Sequence, residues 1–371
     1  MTTLAKYLFV SLPQSADSYD WIQQNVQNEK SKLTKISLPD FQSGTLDSLI
    51  QESEELSKID GQLESSVSKV VDILTGVSDS TTRIVNNRSV YDYIEKFTWN
   101  TGKYRLDKSI NELVTLISSE ALSLDNDVRA SSQNYQTAKS NFNAADRKRN
   151  GDLSIKSLHE IVKPEQFVLN SEHLTTLLIA VPNNSIKDFQ NSYETLVEFV
   201  IPRSATVIDS DQEFTLYGVT LFKKYENDFI NAAREHKWHP RVDFTYSEET
   251  LNNMRKEFDS TKQTELKAKN DLIRLAKTAY SDIFASWIHI KAIRVYVESV
   301  LRYGLPPQFD YYLIKFTGNS DKDLKKVKKD LISKFGYLGG EASNHKTNLH
   351  EYASLVDTEY EPFVIYTIPV V

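Results

Sequence analysis

Two histidines lie at a spacing that a metal site could use. His236 and His239 are three residues apart, but Pro240 follows immediately and no third ligand is near in the sequence. We interpret them as a surface pair. His289 lies in a strongly apolar segment and is interpreted as a core histidine with its hydrogen bonds satisfied. The sequence therefore predicts no metal site.

Motifs for phosphate binding and hydrolysis are missing from the sequence. It contains no G-x-x-x-x-G-K-[ST], no G-x-G-x-x-G and no H-E-x-x-H. The one glycine cluster, Gly336–Gly340, follows a predicted helix and is interpreted as its C-cap and a loop. There is no cysteine, and no carboxylates are paired in a setting that would raise a pKa for acid–base work. We predict a protein without catalytic residues, cofactor or small-molecule substrate, and not an enzyme.

Composition narrows the remaining classes. The 371 residues suffice for two or three domains, and only 11 of them are glycine, which favours long regular elements. The net charge of −7 argues against a nucleic-acid partner, which normally requires a basic surface. The opening residues do not resemble a signal peptide, and no apolar run approaches the roughly 20 residues of a membrane span. We therefore predict a cytoplasmic protein.

Two long tracts contain no glycine or proline, residues 103–150 and 241–303. We expect them to form long helices that position the other elements of the fold. In the first tract, a heptad seam continues for about five heptads with one polar lapse, at Ser131. Its members are Ile110, Val114, Ile117, Ala121, Leu124, Val128, Ser131, Tyr135, Ala138, Phe142 and Ala145. Asp107 and Ser109 are equally good N-caps for this helix, the latter through a capping box with Glu112, and Gly151 ends it.

The second tract carries the same spacing, with a second polar lapse at Glu265. Its seam consists of Leu251, Met254, Phe258, Thr261, Glu265, Ala268, Leu272, Leu275 and Ala279. Residues 245–248 could form its capping box. An apolar stripe this narrow does not stabilise a helix alone, so we expect the two helices to pair antiparallel. At about 1.5 Å per residue, they would be roughly 65 and 85 Å long. Residues 283–297 are apolar on most faces and should be buried in a globular core.

The predicted fold is α+β and mainly helical, and the predicted shape is elongated. Two globular modules, a head and a foot, are joined by a long antiparallel two-helix coiled-coil neck. We place the foot at 1–106 and 285–371, the neck at 107–151 and 247–284, and the head at 152–246. Predicted strands 174–181 and 214–222 and helices 185–199 and 225–236 build the head; strands 7–11, 311–316 and 363–368 and helices 17–28, 45–75 and 321–335 build the foot, where the termini meet.

Two surfaces are candidate partner-binding sites. Arg234, Lys237 and Trp238 end a predicted head helix, where an exposed tryptophan beside basic residues would make a hot spot; the alternative is that Trp238 packs inside the head. The basic run 322–329 contains Lys325, Lys328 and Lys329. It is interpreted either as a solvated helix face or as a docking face for an acidic helix or anionic lipid.

Four segments resemble one protein family. Ser299–Pro307 and Tyr352–Phe363 resemble signatures of the C subunit of the eukaryotic vacuolar-type proton-pumping ATPase (V-ATPase), and Leu46–Leu56 and Lys163–Leu174 fit it too. The resemblance implies a head, neck and foot. It also implies a non-catalytic stator that bridges peripheral stalks, made of E–G heterodimers, to the cytosolic N-terminal domain of the membrane sector's large a subunit.

The same resemblance implies further properties. The head would grip one E–G stalk, and the foot would meet a second stalk together with the a subunit. The protein would be released reversibly when the pump disassembles, and would support ATP-driven proton transport and organelle acidification from the cytosolic face of vacuolar membranes, held there only through the complex. Two alternatives stay open: a coiled-coil scaffold that tethers or curves membranes, for which a basic concave face would be needed, and a hydrolase whose site has no visible motif.

Overall fold

The structure is a computed structural model that describes residues 6–26, 31–78, 83–168, 171–244, 248–316, 321–343 and 361–370. Within these ranges the fold is α+β and mainly helical, as predicted. The chain divides into two compact units, which we call the terminal unit (Met1–Ser132 with Asp271–Val371) and the inserted unit (Gln133–Asn270). The two longest helices each contribute residues to both units. The five-part division into foot, neck and head remains a prediction.

The bounds of the elements are as follows. The described α-helices are α1 (Ser18–Val26), α2 (Leu46–Val77), α3 (Val90–Glu95), α4 (Ile110–Asn150), α5 (Ile186–Ser192), α6 (Glu226–Glu235), α7 (Glu248–Tyr303) and α8 (Asp321–Phe335). The described strands are β1 (Lys6–Pro13), β2 (Ser31–Ile36), β3 (Ile84–Val85), β4 (Arg88–Ser89), β5 (Leu174–Pro182), β6 (Thr206–Ser210), β7 (Phe214–Phe222), β8 (His239–Pro240), β9 (Phe309–Phe316) and β10 (Val364–Pro369).

The terminal unit joins both ends of the chain in one antiparallel sheet. Its strand order is β10-β1-β9-β2. Leu8 of β1 lies opposite Ile314 on one side and Thr367 on the other, so the predicted meeting of the termini is confirmed. One face of the sheet buries Leu8, Val10 and Ile314 against α1 and α8. The alternation of apolar residues along β1 and β9 positions this core.

The last part of α7 is the buried helix that the sequence predicts. Trp287, Ile290, Ile293 and Val297 are all fully buried within the terminal unit. A helix with apolar residues on nearly every face is stable only when protein surrounds it. This segment therefore fixes α7 in the core of the terminal unit.

The inserted unit has a four-stranded antiparallel sheet of order β6-β7-β5-β8. Alternate residues of β5 face opposite sides: Ile179 joins a core with α5 and α6, and Leu178 joins a second core with Leu153 and Leu158. The period of two along the strand explains why a nearly continuous apolar run is needed at residues 177–181. The predicted strands of this unit are present.

The heptad seam of α4 is confirmed. Ser109 and Glu112 form the capping box, in which the Glu112 amide donates to Ser109 Oγ (3.3 Å) and the Ser109 amide donates to Glu112 Oε2 (2.9 Å). Gly151 ends the helix, and a Cβ there would clash with the Arg147 carbonyl oxygen, which excludes a side chain. Eight of the eleven seam positions are buried and the other three, Leu124, Ser131 and Phe142, are half-buried.

Within the inserted unit, α4 and α7 contact each other in antiparallel register. The Phe142 and Phe258 rings lie 5.6 Å apart. Seven residues back along α4, Tyr135 lies near Glu265, which is seven residues forward along α7 and whose charge helps to raise the pKa of the phenol. A step of one heptad in opposite directions is what antiparallel knobs-into-holes packing requires.

Two sequence-based expectations are wrong, and a third is not tested by the described residues. The helix predicted for 185–199 ends at Ser192 and continues only as a 3-10 turn at Tyr193–Thr195, because the chain then turns back to place Val200 in the core. The Gly336–Gly340 cluster is not a loop but part of a 3-10 helix, Gly336–Ser343, since the last turn of α8 tightens rather than stops. The capping box proposed for 245–248 lies mostly outside the described residues.

Candidate partner-binding surfaces

The expectation that Trp238 is exposed is wrong. Its side chain is 1% exposed and lies edge-on to Phe189 at 5.0 Å, inside the core of the inserted unit. The turn after α6 causes this: the Trp238 amide donates to the Ala233 carbonyl oxygen (2.9 Å), which folds the chain back over the helix end. The indole is therefore a core residue and not an accessible anchor.

The two basic residues beside Trp238 do lie on the surface. Arg234 and Lys237 are exposed, and Lys237 adopts a left-handed conformation with φ of 60° that directs the turn. His236 stacks on the Trp238 ring at 4.8 Å and its Nδ1 lies 3.5 Å from the Asp188 carboxylate, whereas His239 contacts Phe214. Partner binding by Arg234 and Lys237 remains a prediction.

The basic helix α8 is amphipathic. Val327 and Leu331 face the core of the terminal unit, which leaves the lysines on the opposite side. Lys325 and Lys329 are exposed, whereas Lys328 is half-buried and forms an ion pair with the Glu361 carboxylate. Lys328 is therefore engaged within the unit, and its predicted role in partner binding would require that ion pair to open.

An aromatic cluster on the inserted unit, formed by Phe199, Phe222 and Tyr225, was not predicted from the sequence. Phe199 is 56% exposed, its ring stacks on Tyr225 (5.2 Å) and meets Phe222 edge-on (5.8 Å). A large aromatic side chain held on the surface, with two other rings to support it, presents apolar area at little further entropic cost. We call this group the Phe199 cluster.

The backbone at Phe199 is strained. Its φ of 63° lies in the left-handed region, which bulky residues rarely adopt. Neighbouring hydrogen bonds impose the conformation: the Phe222 amide donates to the Phe199 carbonyl oxygen (3.3 Å) and the Ile201 amide to that of Thr220 (3.0 Å). Strain of this kind persists where the surrounding structure fixes it, and it is concentrated at functional sites.

A buried charge network lies in the terminal unit. The Asp60 carboxylate accepts from Trp287 Nε1 (2.8 Å), Lys291 Nζ (2.9 Å) and Arg294 Nη1 (2.5 Å). The side chains of Asp60 and Lys291 are only 3% and 4% exposed. Arg294 also stacks on the Tyr366 ring, 4.3 Å from its centroid. The network ties α2 and β10 to α7, which is consistent with a structural role.

His289 is a core histidine, as interpreted from the sequence. Its Nδ1 donates to the Ala285 carbonyl oxygen (2.7 Å), and its Nε2 accepts from the Asn100 amide (3.3 Å). Burial lowers the pKa of His289 to about 4, so the ring is neutral at physiological pH. A neutral ring with both nitrogens engaged is a structural element of this core.

Metal centres and membrane spans are not found among the described residues. These contain no group of three or more His, Asp or Glu side chains placed to hold a metal ion. No helix in these ranges is both long and apolar enough to cross a bilayer.

Similarity to known proteins places the chain in a family. The family model for the V-ATPase C subunit matches residues 7–364. The chain is 49% identical to the C subunit of the V-type proton ATPase of Saccharomyces cerevisiae, covering 99% of this chain and 98% of the yeast protein. It is 37% identical to the C 1 subunit of Xenopus laevis (92% of this chain, 90% of that protein) and 35% identical to the C subunit of Caenorhabditis elegans (99% and 97%).

A solved structure, the cytoplasmic N-terminal domain of the I subunit, a homologue of the V-ATPase a subunit, matches with 12% identity and a TM-score of 0.33, which is too low to support an argument. It covers 88% of this chain and 97% of that one. The full-length match to the family model and the identity to the yeast, frog and worm proteins agree with the four segments that show the resemblance in the sequence. The chain belongs to the V-ATPase C subunit family.

Proposed function

We propose that this chain is a non-catalytic stator component of a rotary proton-pumping V-ATPase. The observation that carries the proposal is the 49% identity to the C subunit of a yeast V-type proton ATPase over 99% of the chain. As a stator it would support ATP-driven proton transport, and through it organelle acidification, from the cytosolic face of vacuolar and other endomembranes. It would reach the membrane only through the complex.

The proposed partners are the E–G peripheral stalks and the cytosolic N-terminal domain of the a subunit. In this proposal the head, residues 152–246, binds one E–G stalk, and the foot, residues 1–106 and 285–371, binds a second stalk and the a subunit. The exposed Phe199 cluster offers the inserted unit an apolar anchor, flanked by basic residues such as Lys223 and Lys224. Lys325 and Lys329 on α8 offer the terminal unit a basic face.

The continuous helices α4 and α7 are suited to a mechanical role. A rotary motor twists its stator, so the connector must resist bending and torsion. Paired helices supply stiffness when a seam of buried residues locks them together, and α4 has such a seam from Ile110 to Ala145. We propose that residues 107–151 and 247–284 form a neck that sets the distance between two sets of partners.

Regulated release is the second part of the proposal. A protein that leaves and rejoins the complex needs interfaces that separate without unfolding the chain, so compact surface anchors are more suitable than a large buried interface. The Phe199 cluster and the α8 lysines have this character, since they lie on the surfaces of units with cores of their own.

Affinity capture tests the function. The full chain, immobilised and exposed to a lysate of cells that contain the pump, should retain the E and G subunits; recovery of neither would refute the stator role. The alternative, a membrane-tethering or membrane-curving scaffold, predicts instead that the purified chain sediments with anionic liposomes in the absence of its pump partners. A matched capture with Phe199→Ala separates specific retention from background.

A further inference from the structure

A pocket in the terminal unit has no part in the proposed function. It lies between the end of α2, the β3–β4 hairpin and the middle of α7, and its volume is about 600 Å³. The hairpin turn at Asn86 and Asn87 is fastened to α7, because the Asn86 amide donates to Ser281 Oγ (3.0 Å). The walls are therefore held by hydrogen bonding and not only by apolar contact.

The charged side chains among the described residues that line this pocket are basic. Arg83 and Lys277 line it, and no carboxylate belongs to the described residues that form its wall. Neither Arg83 nor Lys277 has an ion pair with another described residue, although the chain as a whole is acidic. An unpaired arginine and lysine around one concavity favour an anionic ligand.

Two buried donors at this pocket lack a partner among the described residues. Arg83 Nη1 and the Tyr280 hydroxyl are shielded from water and have no hydrogen bond. Burial raises the pKa of Tyr280 to about 12, so the hydroxyl keeps its proton and remains a donor. A buried donor without a partner destabilises the free protein, and two at one pocket wall point to an acceptor that the isolated chain does not supply.

The remaining wall of the pocket is apolar. Val71 and Leu74 lie on one side, and Ile84, which is 50% exposed, lies on another. Small-molecule sites typically combine such apolar walls with a few convergent polar groups in volumes of about 300–1,000 Å³. The pocket therefore suits a ligand with an anionic head and an apolar body rather than a bare ion.

We propose that this pocket binds a small organic phosphate. The phosphate oxygens accept from Arg83 and Tyr280 at the wall, and Lys277 contributes charge at the mouth, while the organic group lies against Leu74 and Ile84. The planar guanidinium of arginine matches phosphate oxygens in pairs, which favours phosphate as the anion. Both unpartnered atoms are shielded from water in the free chain, so the Arg83 and Tyr280 side chains must turn towards the ligand when it binds. This site is independent of the stator role.

Titration of the full chain with phenyl phosphate tests the proposal. Phenyl phosphate should bind and raise the melting temperature, since a ligand of the folded state stabilises it by mass action. Phenol should give no shift, inorganic phosphate a smaller one, and benzoate, which carries a carboxylate, an intermediate one. Absence of any shift at millimolar phenyl phosphate, or an equal shift with phenol, would overturn it.

Three variants locate the binding. Arg83→Met should weaken phenyl phosphate binding at least tenfold, and Arg88→Met, an exposed arginine on the neighbouring strand, should leave it unchanged. Tyr280→Phe should weaken binding without lowering the melting temperature of the free chain, because it removes a hydroxyl that has no partner. If Arg83→Met does not fold, the affinity of Tyr280→Phe for phenyl phosphate decides the question. An affinity of Tyr280→Phe equal to that of the unaltered chain would refute the assigned site. A loss of affinity in Arg88→Met as large as that in the pocket variants would refute it too.

Discussion

Tyr135 on α4 lies near Glu265 on α7, so the polar residue that interrupts the second seam has a polar neighbour across the two helices. Burial, together with the Glu265 charge, raises the pKa of Tyr135, which keeps the phenol protonated. From the sequence, Glu265 marks a weak point of the helix pair. The structure instead places the Tyr135 phenol near this carboxylate.

The two polar residues in the seams, Ser131 and Glu265, should therefore respond differently to substitution by leucine. Ser131→Leu should strengthen the seam and slow amide hydrogen exchange around residues 128–138, because Ser131 is half-buried and a leucine there adds apolar contact. Glu265→Leu should not slow exchange, because it removes the polar neighbour of the Tyr135 phenol; we expect a loss of about 1–2 kcal/mol in local stability. If Ser131→Leu and Glu265→Leu slow exchange equally, the interaction between Tyr135 and Glu265 has no stabilising role. Tyr135→Phe, combined with Glu265→Leu in a double-mutant cycle, isolates the pair.

His289 gives the terminal unit a dependence on pH. Its pKa is about 4 in the folded chain against an ordinary value of 6.5, so the unfolded chain binds more protons between these values. The contribution of the neutral His289 ring to the free energy of unfolding should be fully present above about pH 6.5. It should decline as the pH falls towards 4, by at most about 3 kcal/mol. Urea unfolding between pH 7.5 and 5.5 measures the slope. His289→Gln, which does not titrate, should show a smaller slope; identical slopes would contradict the assignment.

The Asp60 network should be sensitive to the loss of its one carboxylate. Asp60→Asn removes the carboxylate that Lys291 and Arg294 contact directly and leaves them only the interaction with Glu64, so we expect a loss of about 3–5 kcal/mol in the free energy of unfolding. Glu54→Gln, which changes an exposed carboxylate on α2, is a matched control with a much smaller expected effect. Tryptophan fluorescence follows the unfolding, since Trp287 donates to Asp60. Equal effects of the two substitutions would contradict a role specific to Asp60.

Phe199 should affect binding and stability in opposite directions. Phe199→Gly relieves the left-handed backbone strain, so the free energy of unfolding should stay the same or rise by about 1 kcal/mol. The same change should weaken binding to a purified E–G heterodimer at least tenfold if the cluster is the anchor of the head. Val207→Ala, at a site 59% exposed on β6, is the surface control. Unchanged affinity for Phe199→Gly would remove the cluster from the interface.

Local and periodic features of the fold could be predicted from the sequence. The α4 seam and its Ser109 capping box follow from residue spacing within a few turns of one helix, and both are confirmed. The strand β2 was missed because Lys32 and Lys35 interrupt its apolar pattern, as an edge strand paired only with β9 allows. The hairpin at residues 84–89 is likewise too short to show a period.

The surfaces could not be predicted in the same way. Trp238 is buried because of the turn after α6, and Phe199 is exposed because hydrogen bonds from β7 hold its backbone; both depend on residues distant in the sequence or on backbone geometry. Arg83 and Tyr280 are almost 200 residues apart and meet only through the packing of the hairpin on α7. The hydrophobicity of an aromatic residue is the same whether it is exposed or buried, so the sequence pattern alone does not distinguish the two cases.

The bridging role is tested most directly by reconstitution. Purified full chain, E–G heterodimer and the cytosolic N-terminal domain of the a subunit would be mixed and their masses measured by native mass spectrometry. The stator account predicts an assembly that contains all three, and no association of E–G with the a-subunit domain when the chain is left out. Binding of the chain to neither component, or a stable assembly of E–G and the a-subunit domain that excludes it, would contradict the account.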